Sequence, residues 1–450
     1  MTPDTITHRR VLKAALPIIL SNATIPILGA VDTGVIGQMG LAAPIGAVGI
    51  GAVILTSLYW LFGFLRMGTT GLVAQAVGAN NPEEASALLM RGLIVGGLAG
   101  AGLIVLQYPL FLLAFYISPA SAEVETLAWT YLSIRIWAAP AAIATYALTG
   151  WLIGQERMRA VLILQLGMNL LNIGLDIWFV LGLGWGVPGV AFATLLAEIL
   201  GLALALYLCR DAFAGRAWRN RARIMDRVRI AKMLVVNGDI MLRSVLLLAA
   251  FQAFLFIAAG LGDVKLAANQ VLMQFLHITA YALDGFAFAV EALVGAALGA
   301  GAVAALRRAV YLCALWSAVG AVLMALAFWL FGPMLIDLMA TNEAVRAEAR
   351  LYLIWIVLGP LIGFSSWFLD GVFIGATETR AMRIAMLQSS AIFVLAVSTL
   401  VPLWGNHGLW LAMMVFYVAR TVTLGLRYKG IEAAAYAQSA RPVPTASTTD

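Results

Sequence analysis

Residues 72–79 read LVAQAVGA, and residues 293–300 repeat this pattern as LVGAALGA. A second pair of segments, GWLIGQERMRA at 150–160 and GVFIGATETRA at 371–381, is separated by the same 221 residues. Either match alone would be weak evidence in a chain with 43 glycines, but one shared offset indicates an internal duplication. The sequence therefore predicts two structurally related halves.

The composition predicts that both halves lie in a membrane. Of the 450 residues, 63% are hydrophobic and 11% are charged, whereas an ordinary globular domain has roughly 25% charged residues. Twelve segments are long enough to cross a bilayer, which takes about 20 helical residues. They lie at 12–36, 47–76, 87–117, 124–150, 160–182, 187–209, 232–259, 266–300, 308–336, 351–376, 382–403 and 408–428. The first is too long for the core of a cleaved signal peptide.

The predicted fold is an all-α membrane protein with twelve transmembrane helices in two six-helix lobes. Because six is an even number, both lobes insert in the same direction and form a parallel repeat about an axis along the membrane normal. Transporters of this type bind their substrate near the midplane, in a central cleft between the lobes. We assign residues 1–209 to the first lobe, 210–231 to a linker, 232–430 to the second lobe and 431–450 to a disordered tail.

The basic residues are distributed unevenly between the two sides of the membrane. Alternate loops place 21 of the 28 Lys and Arg residues on one side, so the positive-inside rule predicts that both termini are cytoplasmic. We therefore expect a multi-pass protein of the inner (plasma) membrane. The linker RDAFAGRAWRNRARIMDRVR, at 210–229, could contact nucleic acid. Contact with anionic lipid headgroups is favoured, so we expect the lipid bilayer and not nucleic acid as its partner.

Polar residues of the first lobe gather at one depth. Asp32 on the first predicted helix and Asp176 on the fifth lie level with Tyr131 and Thr194 on the fourth and sixth. Asn172 precedes Asp176 by one helical turn and shares its face. Ionisable groups inside a membrane are costly and are functional candidates by default. We predict a functional site in which a carboxyl group of Asp32 or Asp176 carries a proton and the other three residues complete its polar surroundings; the alternative is a structural polar network that does not titrate.

Two further features of the first lobe follow from position along the helices. Pro26 removes a backbone hydrogen bond before Asp32 and is a candidate hinge. Arg135 and Glu198 lie one turn beyond Tyr131 and Thr194, at equal depth. We predict that they form a structural ion pair between the fourth and sixth helices.

The second lobe carries its own polar cluster in the inner third of the bilayer. Asp239 and Arg243 are four residues apart, and we expect each to neutralise the other. Glu291 is near the inner end of its helix, where its side chain is expected to extend toward water. The predicted second-lobe cluster consists of Asp239, Arg243, Asp284 and Asp370.

Several classes of function are disfavoured. Cys209 and Cys313 both lie in apolar segments, and the three histidines are scattered, so neither a disulfide framework nor a metal site is expected. The chain has no phosphate-binding Gly-Lys loop and no nucleophile with a neighbouring base. We therefore predict neither an enzyme nor a cofactor.

Three segments resemble the multidrug and toxic compound extrusion (MATE) family, and specifically its DinF branch. They are PILGAVDTGVIGQMG at 26–40, NGDIMLRS at 237–244 and AANQVLMQFLHITAYALDGFAFAVEALVGAALGA at 267–300. The resemblance implies secondary active efflux of lipophilic, often cationic compounds in exchange for protons or sodium ions.

The same resemblance implies roles for individual residues. The aspartate on the first helix, here Asp32, is the expected cation-coupling residue, and Asn172, Asp176, Thr194 and Tyr131 match its network. The sodium-coupled branch typically has a glutamate on the seventh helix, and residues 232–259 contain none. This difference favours protons as the coupling ion, with sodium as the alternative.

The partners implied are small lipophilic or cationic substrates and the lipid bilayer, and we expect a monomer. A second hypothesis keeps the fold but exports a lipid or a lipid-linked precursor, because a cleft between lobes can admit amphiphiles from the side. The sequence does not distinguish these two cargoes.

Overall fold

The computed structural model describes residues 2–38, 41–117 and 121–440, apart from the side chains of five residues within these ranges. Those five are Pro3, Ile27, Ala30, Asp32 and Thr33.

The first lobe consists of six membrane helices, three of which change geometry along their length. Helices α1 (His8–Gly37), α3 (Pro82–Val105) and α6 (Gly186–Leu208) are single α-helices, and the short helix Gln107–Ile117 follows α3. Helix α2 consists of Ala42–Trp60 and Phe64–Gly78, joined by the 3₁₀ turn Leu61–Gly63. Helix α4 consists of Ala122–Arg135 and Ala139–Gly154, joined by the 3₁₀ turn Ile136–Ala138. Helix α5 is Met158–Asp176, and the π-helical segment Ile177–Gly182 continues it.

The second lobe follows a linker of three short helices, Arg210–Phe213, Ala217–Arg219 and Arg221–Ile224. Its helices are α7 (Arg227–Gly260), α8 (Asp263–Gly299), α9 (Val303–Met339) and α10 (Glu343–Ala376). The run Thr379–Gly425 is bent at Gly405, whose φ of 54° and ψ of −128° are not helical, and this bend divides α11 (379–404) from α12 (406–425). A short N-terminal helix, Pro3–Thr5, and the final helix α13, Tyr428–Ser439, complete the described chain.

These helices confirm the predicted fold class. Ten helical stretches among the described residues are long and apolar enough to cross a membrane. Helix α1 and the division at Gly405 bring the bundle to the twelve spans that the sequence predicts. Capping residues set several of the boundaries: the side chain of Asn81 accepts from the backbone N–H of Glu84 at the start of α3, where Pro82 occupies the first turn.

The two lobes repeat the same close contacts between helices. A Cβ atom placed on Gly150 would lie 2.4 Å from the carbonyl oxygen of Arg66. One placed on Gly371 would lie 2.7 Å from the carbonyl oxygen of Ala287. Both residues of the second pair follow their counterparts by 221 positions, so the sequence offset reappears as a packing contact. Small residues allow such close helix approach within a membrane.

Both ends of the described chain lie at the same end of the bundle. Arg308 at the start of α9 donates from Nε to the carbonyl oxygen of Ile6 over 2.8 Å. Gly301, in the α8–α9 loop, packs against the backbone of Ser439. We call this the terminal end of the bundle, and the other the opposite end.

The beginning of the predicted tail is helical. Residues 431–439 belong to α13, and its apolar residues Ile431 and Ala435, one turn apart, are fully buried against the second lobe. Arg307 on α9 binds Glu432 through two hydrogen bonds of 3.0 and 2.7 Å. The sequence analysis missed this amphipathic helix because the polar residues after 440 made the whole segment resemble a disordered tail. The remainder of the predicted tail, 441–450, lies outside the described residues.

Candidate functional site

Helix α5 presents a row of polar side chains to α1 and α6. Asn169 donates from Nδ2 to Thr24 Oγ1 of α1 over 2.7 Å and accepts from Gln165 Nε2 over 3.2 Å. One turn farther along, Asn172 donates from Nδ2 to Thr194 Oγ1 of α6 over 3.1 Å. The Thr194 hydroxyl donates in turn to its own helix, at the carbonyl oxygen of Val190. This row joins three helices of the first lobe.

Asp176 ends this row at the junction between the α-helical and π-helical parts of α5. Its side chain has no solvent-exposed surface, and Asn172, one turn before it, is 2% exposed. Asp32 lies on α1, and its side chain is outside the described residues, so its contact with Asp176 stays a prediction. An ionisable side chain that is fully buried within a membrane helix is a functional candidate.

The predicted partners Arg135 and Glu198 lie in direct contact. Arg135 Nη2 is 2.6 Å from Glu198 Oε1, and its Nη1 donates to the hydroxyl of Tyr131 over 2.9 Å. A Cβ atom on Gly51 of α2 would lie 2.4 Å from the ring of Tyr131, so this glycine makes room for the tyrosine. Tyr131 is therefore linked to Glu198 through Arg135. It also lies at the depth at which the sequence places Asp176.

Pro26 lies at the boundary between the lobes. It lines a cavity of about 260 Å³ between α1 and α8, bounded on the other side by Ile278, Tyr281 and Ala282. Asn22, one turn before Pro26, donates from Nδ2 to the carbonyl oxygen of Tyr281 over 3.2 Å. A change in the angle of α1 at Pro26 would therefore alter its contact with the second lobe.

The second-lobe cluster differs from the one predicted, because Asp239 and Arg243 do not neutralise each other. Asp239 accepts from Arg383 Nη1 over 2.6 Å and from Thr379 Oγ1 over 3.1 Å, both on α11. Arg243 instead binds Asp370 on α10. The spacing of four residues gives proximity along one helix, but each side chain binds a partner on a neighbouring helix.

Asp370 is shared by two arginines. Arg243 on α7 and Arg420 on α12 both bind its Oδ2 atom, and all three side chains are at least 90% buried. Asp284, the fourth residue of the predicted cluster, forms no ion pair or hydrogen bond with another side chain in the described part of the chain. It is half-buried on α8 and lies within electrostatic reach of Arg66 and Arg243.

An ion pair that the sequence analysis missed joins the two lobes. Arg66 Nη1 on α2 lies 3.1 Å from Glu291 Oε2 on α8, with side-chain exposures of 12% and 2%. The guanidinium group also stacks over the ring of Phe288, 4.0 Å from its centroid. Glu291 does not extend toward water as expected, because Arg66 supplies its counter-charge inside the bundle.

The lobes meet at the terminal end through the repeated segment that opened the sequence analysis. A Cβ atom on Gly78 would lie 2.0 Å from the carbonyl oxygen of Ala296, and one on Gly299 would lie 2.0 Å from that of Gln75. The two contacts are equivalent under the 221-residue offset, so each copy packs on the other reciprocally. Together with Arg66–Glu291, these contacts form what we call the inter-lobe seal.

The seal also includes a polar bridge to the end of α10. Gln75 donates from Nε2 to the carbonyl oxygen of Gly375 over 3.1 Å and to Thr377 Oγ1 over 3.0 Å. The glycine pattern of residues 72–79 and 293–300 could have indicated this contact before the structure was known, because glycine recurs where helix backbones approach closely.

Helix α8 carries a second feature that sequence reasoning missed, a row of polar residues on one face. Gln270, Gln274, His277, Tyr281 and Asp284 are spaced alternately by four and three residues, so they lie along one side of the helix. The signal was a seven-residue repeat of polar positions within an apolar segment.

The side chains described at the site include acids, amides, hydroxyl groups and arginines. Among the residues that the structure describes, no group of three or more His, Cys, Asp or Glu side chains could hold a metal ion. The described carboxyl groups can bind protons, and the amide and hydroxyl groups can form hydrogen bonds.

Comparisons with known proteins agree on one family. The family profile named MatE matches residues 17–178 and 240–400, one segment in each lobe. The chain is 41% identical over 425 residues to DNA damage-inducible protein F of Escherichia coli K12, covering 91% of this chain and 89% of that protein. It is 29% identical over 311 residues to a probable multidrug resistance protein NorM of Caulobacter vibrioides, covering 66% and 64%.

Solved structures share the fold at lower sequence identity. A multidrug resistance MATE family transporter of the MOP superfamily, described in an outward-facing conformation, superposes with a TM-score of 0.86 at 20% identity, covering 95% of this chain and 96% of that one. A MOP superfamily transporter from Pyrococcus furiosus superposes with a TM-score of 0.82 at 18% identity, covering 95% and 96%.

Proposed function

Because the chain belongs to the MATE family of membrane transporters, which are not enzymes, we propose that it exports small lipophilic or cationic compounds in exchange for protons. The observation that carries this proposal is the fully buried Asp176 at the end of the polar row on α5. A buried acid between hydrogen-bonding helices is suited to exchange a proton during transport.

The coupling cycle that we propose uses Asp32 and Asp176 as an interacting pair. Two carboxyl groups in one low-dielectric site hold a shared proton more readily than two separate charges. Binding of a proton from outside would release a cationic substrate, and loss of the proton to the inside would restore the site. Asn172 and Thr194, which bond to each other, and Tyr131, which binds Arg135, complete the polar surroundings of the pair.

The conformational part of the cycle is alternating access between the lobes. The inter-lobe seal closes the terminal end, and the basic loops support a cytoplasmic location for that end. The described conformation would then be open to the outside, with Pro26 placed where α1 can bend as the site changes its charge. The opposite state requires the seal to separate.

The linker supports the same orientation. Arg91 on α3 donates to the carbonyl oxygens of Ile224 and Arg223 over 3.0 and 2.8 Å, so the linker is held on the first lobe. Arg216, Arg219 and several neighbouring arginines remain exposed. We infer that these exposed guanidinium groups contact anionic lipid headgroups of the inner membrane, with the transporter acting as a monomer.

A reconstituted system tests this function. The purified protein in liposomes should export a fluorescent organic cation when a pH gradient is imposed, and Asp32→Asn should abolish that export. Asp263→Asn, which removes an exposed carboxylate at the start of α8, is the matched control and should transport normally.

Three outcomes would redirect the proposal. Transport driven by a sodium gradient and indifferent to pH would assign sodium as the coupling ion. Movement of a labelled lipid between leaflets, without movement of the organic cation, would assign lipid export. Full activity of Asp32→Asn at normal protein levels would remove the acidic pair from the mechanism.

A further inference from the structure

The polar row on α8 runs along one side of the helix, and the part of the row nearest the seal faces α1 of the first lobe. Its five residues, Gln270, Gln274, His277, Tyr281 and Asp284, span about 21 Å at 1.5 Å per residue. The first three are exposed, whereas Tyr281 and Asp284 are half-buried. The row continues through Phe288 and Glu291 into the contact with Arg66, so it ends at the inter-lobe seal.

The ring of His277 packs edge-on against Phe251, with 6.4 Å between the centroids, but the polar side-chain atoms of the row have no hydrogen-bond partner within the described chain. Across residues 2–38, 41–117 and 121–440, none of the five forms a side-chain hydrogen bond or an ion pair with another residue. Most other polar side chains inside the bundle are bound, as Asn169 is to Thr24 and Asn269 is to Asn406. Polar groups at membrane depth face the interior of a bundle or a water-filled cavity and mark substrate paths.

Two pockets adjoin the row, of which the first is broadly open to the surface and the second is about half enclosed. One of about 430 Å³ is lined by Gln270 and Gln274 together with residues of the α9–α10 connection, including Thr341 and Asn342. The other, of about 260 Å³, is lined by Tyr281 of the row and by Asn22 and Pro26 of α1. His277 lies between the two along the helix. The row therefore extends from a space near the opposite end to a space beside the proposed hinge, and Asp284, which lines neither space, lies one turn beyond Tyr281 toward the seal.

The chemistry of the row fits one class of ligand. The amide groups of Gln270 and Gln274 can both donate and accept hydrogen bonds, and the aromatic rings of His277 and Tyr281 can pack against an aromatic cargo by stacking or edge contact. Asp284 is a carboxylate without a cation within ion-pair distance among the described residues, whereas its neighbours Arg66 and Arg243 already bind Glu291 and Asp370. A planar aromatic cation that carries hydrogen-bonding substituents would bind the amides through these substituents, the aromatic rings through its own rings and the carboxylate through its charge.

We propose that this row on α8 is the second-lobe binding surface for the exported aromatic cation, with Asp284 holding the cationic group and His277 and Tyr281 contacting the rings. The inference rests on the proposed function, because it assigns the residues that contact its cargo. It also gives the second lobe a role in selecting the substrate, while the acidic pair of the first lobe handles the proton.

Equilibrium binding of two dyes to the purified protein tests this surface. Ethidium is a planar aromatic cation, and Nile red is a neutral planar aromatic molecule. Asp284→Asn should weaken ethidium binding by about tenfold or more, as expected for loss of a charged contact, and should change Nile red binding by less than about twofold. Asp284→Glu should restore ethidium binding because it retains the charge.

Substitutions at His277 and Gln274 should affect the binding of the two dyes differently from Asp284→Asn. His277→Ala and Gln274→Ala should each weaken both dyes by several-fold, since they contribute contacts that do not depend on the charge of the dye. Thr399→Ala on α11 is the control, because this exposed hydroxyl binds only its own helix. It should bind both dyes as the wild-type protein does.

The possible failures are distinguishable. If the wild-type protein exports ethidium in liposomes and every α8 variant binds and exports it normally, the α8 surface is wrong and the proposed function stands. If Asp284→Asn weakens both dyes equally, the carboxylate does not recognise charge and the assignment of Asp284 is overturned. If the wild-type protein neither binds nor exports ethidium under a pH gradient, both proposals fail.

Discussion

Adding one methyl group to the inter-lobe seal should shift the transporter away from the described conformation. The change is Gly78→Ala, whose Cβ would lie 2.0 Å from the carbonyl oxygen of Ala296. The obstacle is backbone and not a flexible side chain, so α2 and α8 must move apart. Overpacking of this kind costs about 1 to 3 kcal/mol, which corresponds to a shift of about 5- to 150-fold in the equilibrium between conformations.

The chain provides both a replicate and a control for this experiment. Gly299→Ala makes the equivalent clash, 2.0 Å from the carbonyl oxygen of Gln75, and should have the same effect. Gly97→Ala places its methyl group where no atom lies within 4 Å. This control also gains helix propensity of up to about 1 kcal/mol, so it should leave the equilibrium unchanged or stabilise the protein.

Pulsed electron spin resonance can measure the separation of the lobes at the terminal end. Arg159 and Arg380 are exposed and equivalent under the repeat, and each can carry a spin label after replacement by cysteine. The buried Cys209 and Cys313 would first be replaced by alanine. We expect a longer distance in both seal variants than in the wild-type protein and in Gly97→Ala.

The reasoning fails if Gly78→Ala and Gly299→Ala fold with normal melting temperatures and give the wild-type distance distribution. The lobes would then tolerate the methyl groups by local adjustment, and the seal would not control access.

Three further predictions concern the first lobe. Asp32→Asn should abolish proton-coupled efflux while membrane insertion stays normal, and drug resistance in cells that express the variant at wild-type levels would contradict this expectation. Substrate affinity should fall as the pH is lowered if protons and substrate compete for Asp32 and Asp176; a fluorescence titration that shows no pH dependence would speak against the pair. Arg135→Met and Glu198→Leu should each destabilise the protein by about 3 to 5 kcal/mol, because each strands a buried charge. The double variant should recover much of the melting temperature, and equal losses in single and double variants would exclude a structural pair.

Position along the helices was sufficient to predict features that depend on depth. The twelve spans follow from hydropathy, and the contact between Arg135 and Glu198 follows from their equal distance from the outer surface. The offset of the repeat also carried structural information, since Gly78 and Gly299 meet their partners at equal distances.

Features that depend on the direction of a side chain around its helix were not predicted. Asp239 and Arg243 have the spacing of an ion pair, yet Arg383 and Asp370 on neighbouring helices are their partners. Glu291 was expected to extend toward water because it lies near the inner end of its helix, but it binds Arg66 of the other lobe. A single sequence gives the depth of each residue, whereas the packing of one helix against another decides which residues at that depth meet.

The reciprocal contact between Gly78 and Gly299 has a consequence for the origin of the chain. Gly78 packs on Ala296 and Gly299 packs on Gln75, so residue and partner exchange places when the lobes are exchanged. A surface that contacts itself in this way is an isologous interface, the kind that closes a twofold homodimer. A six-helix ancestor could therefore have paired with an identical copy through this surface before duplication placed both copies on one polypeptide.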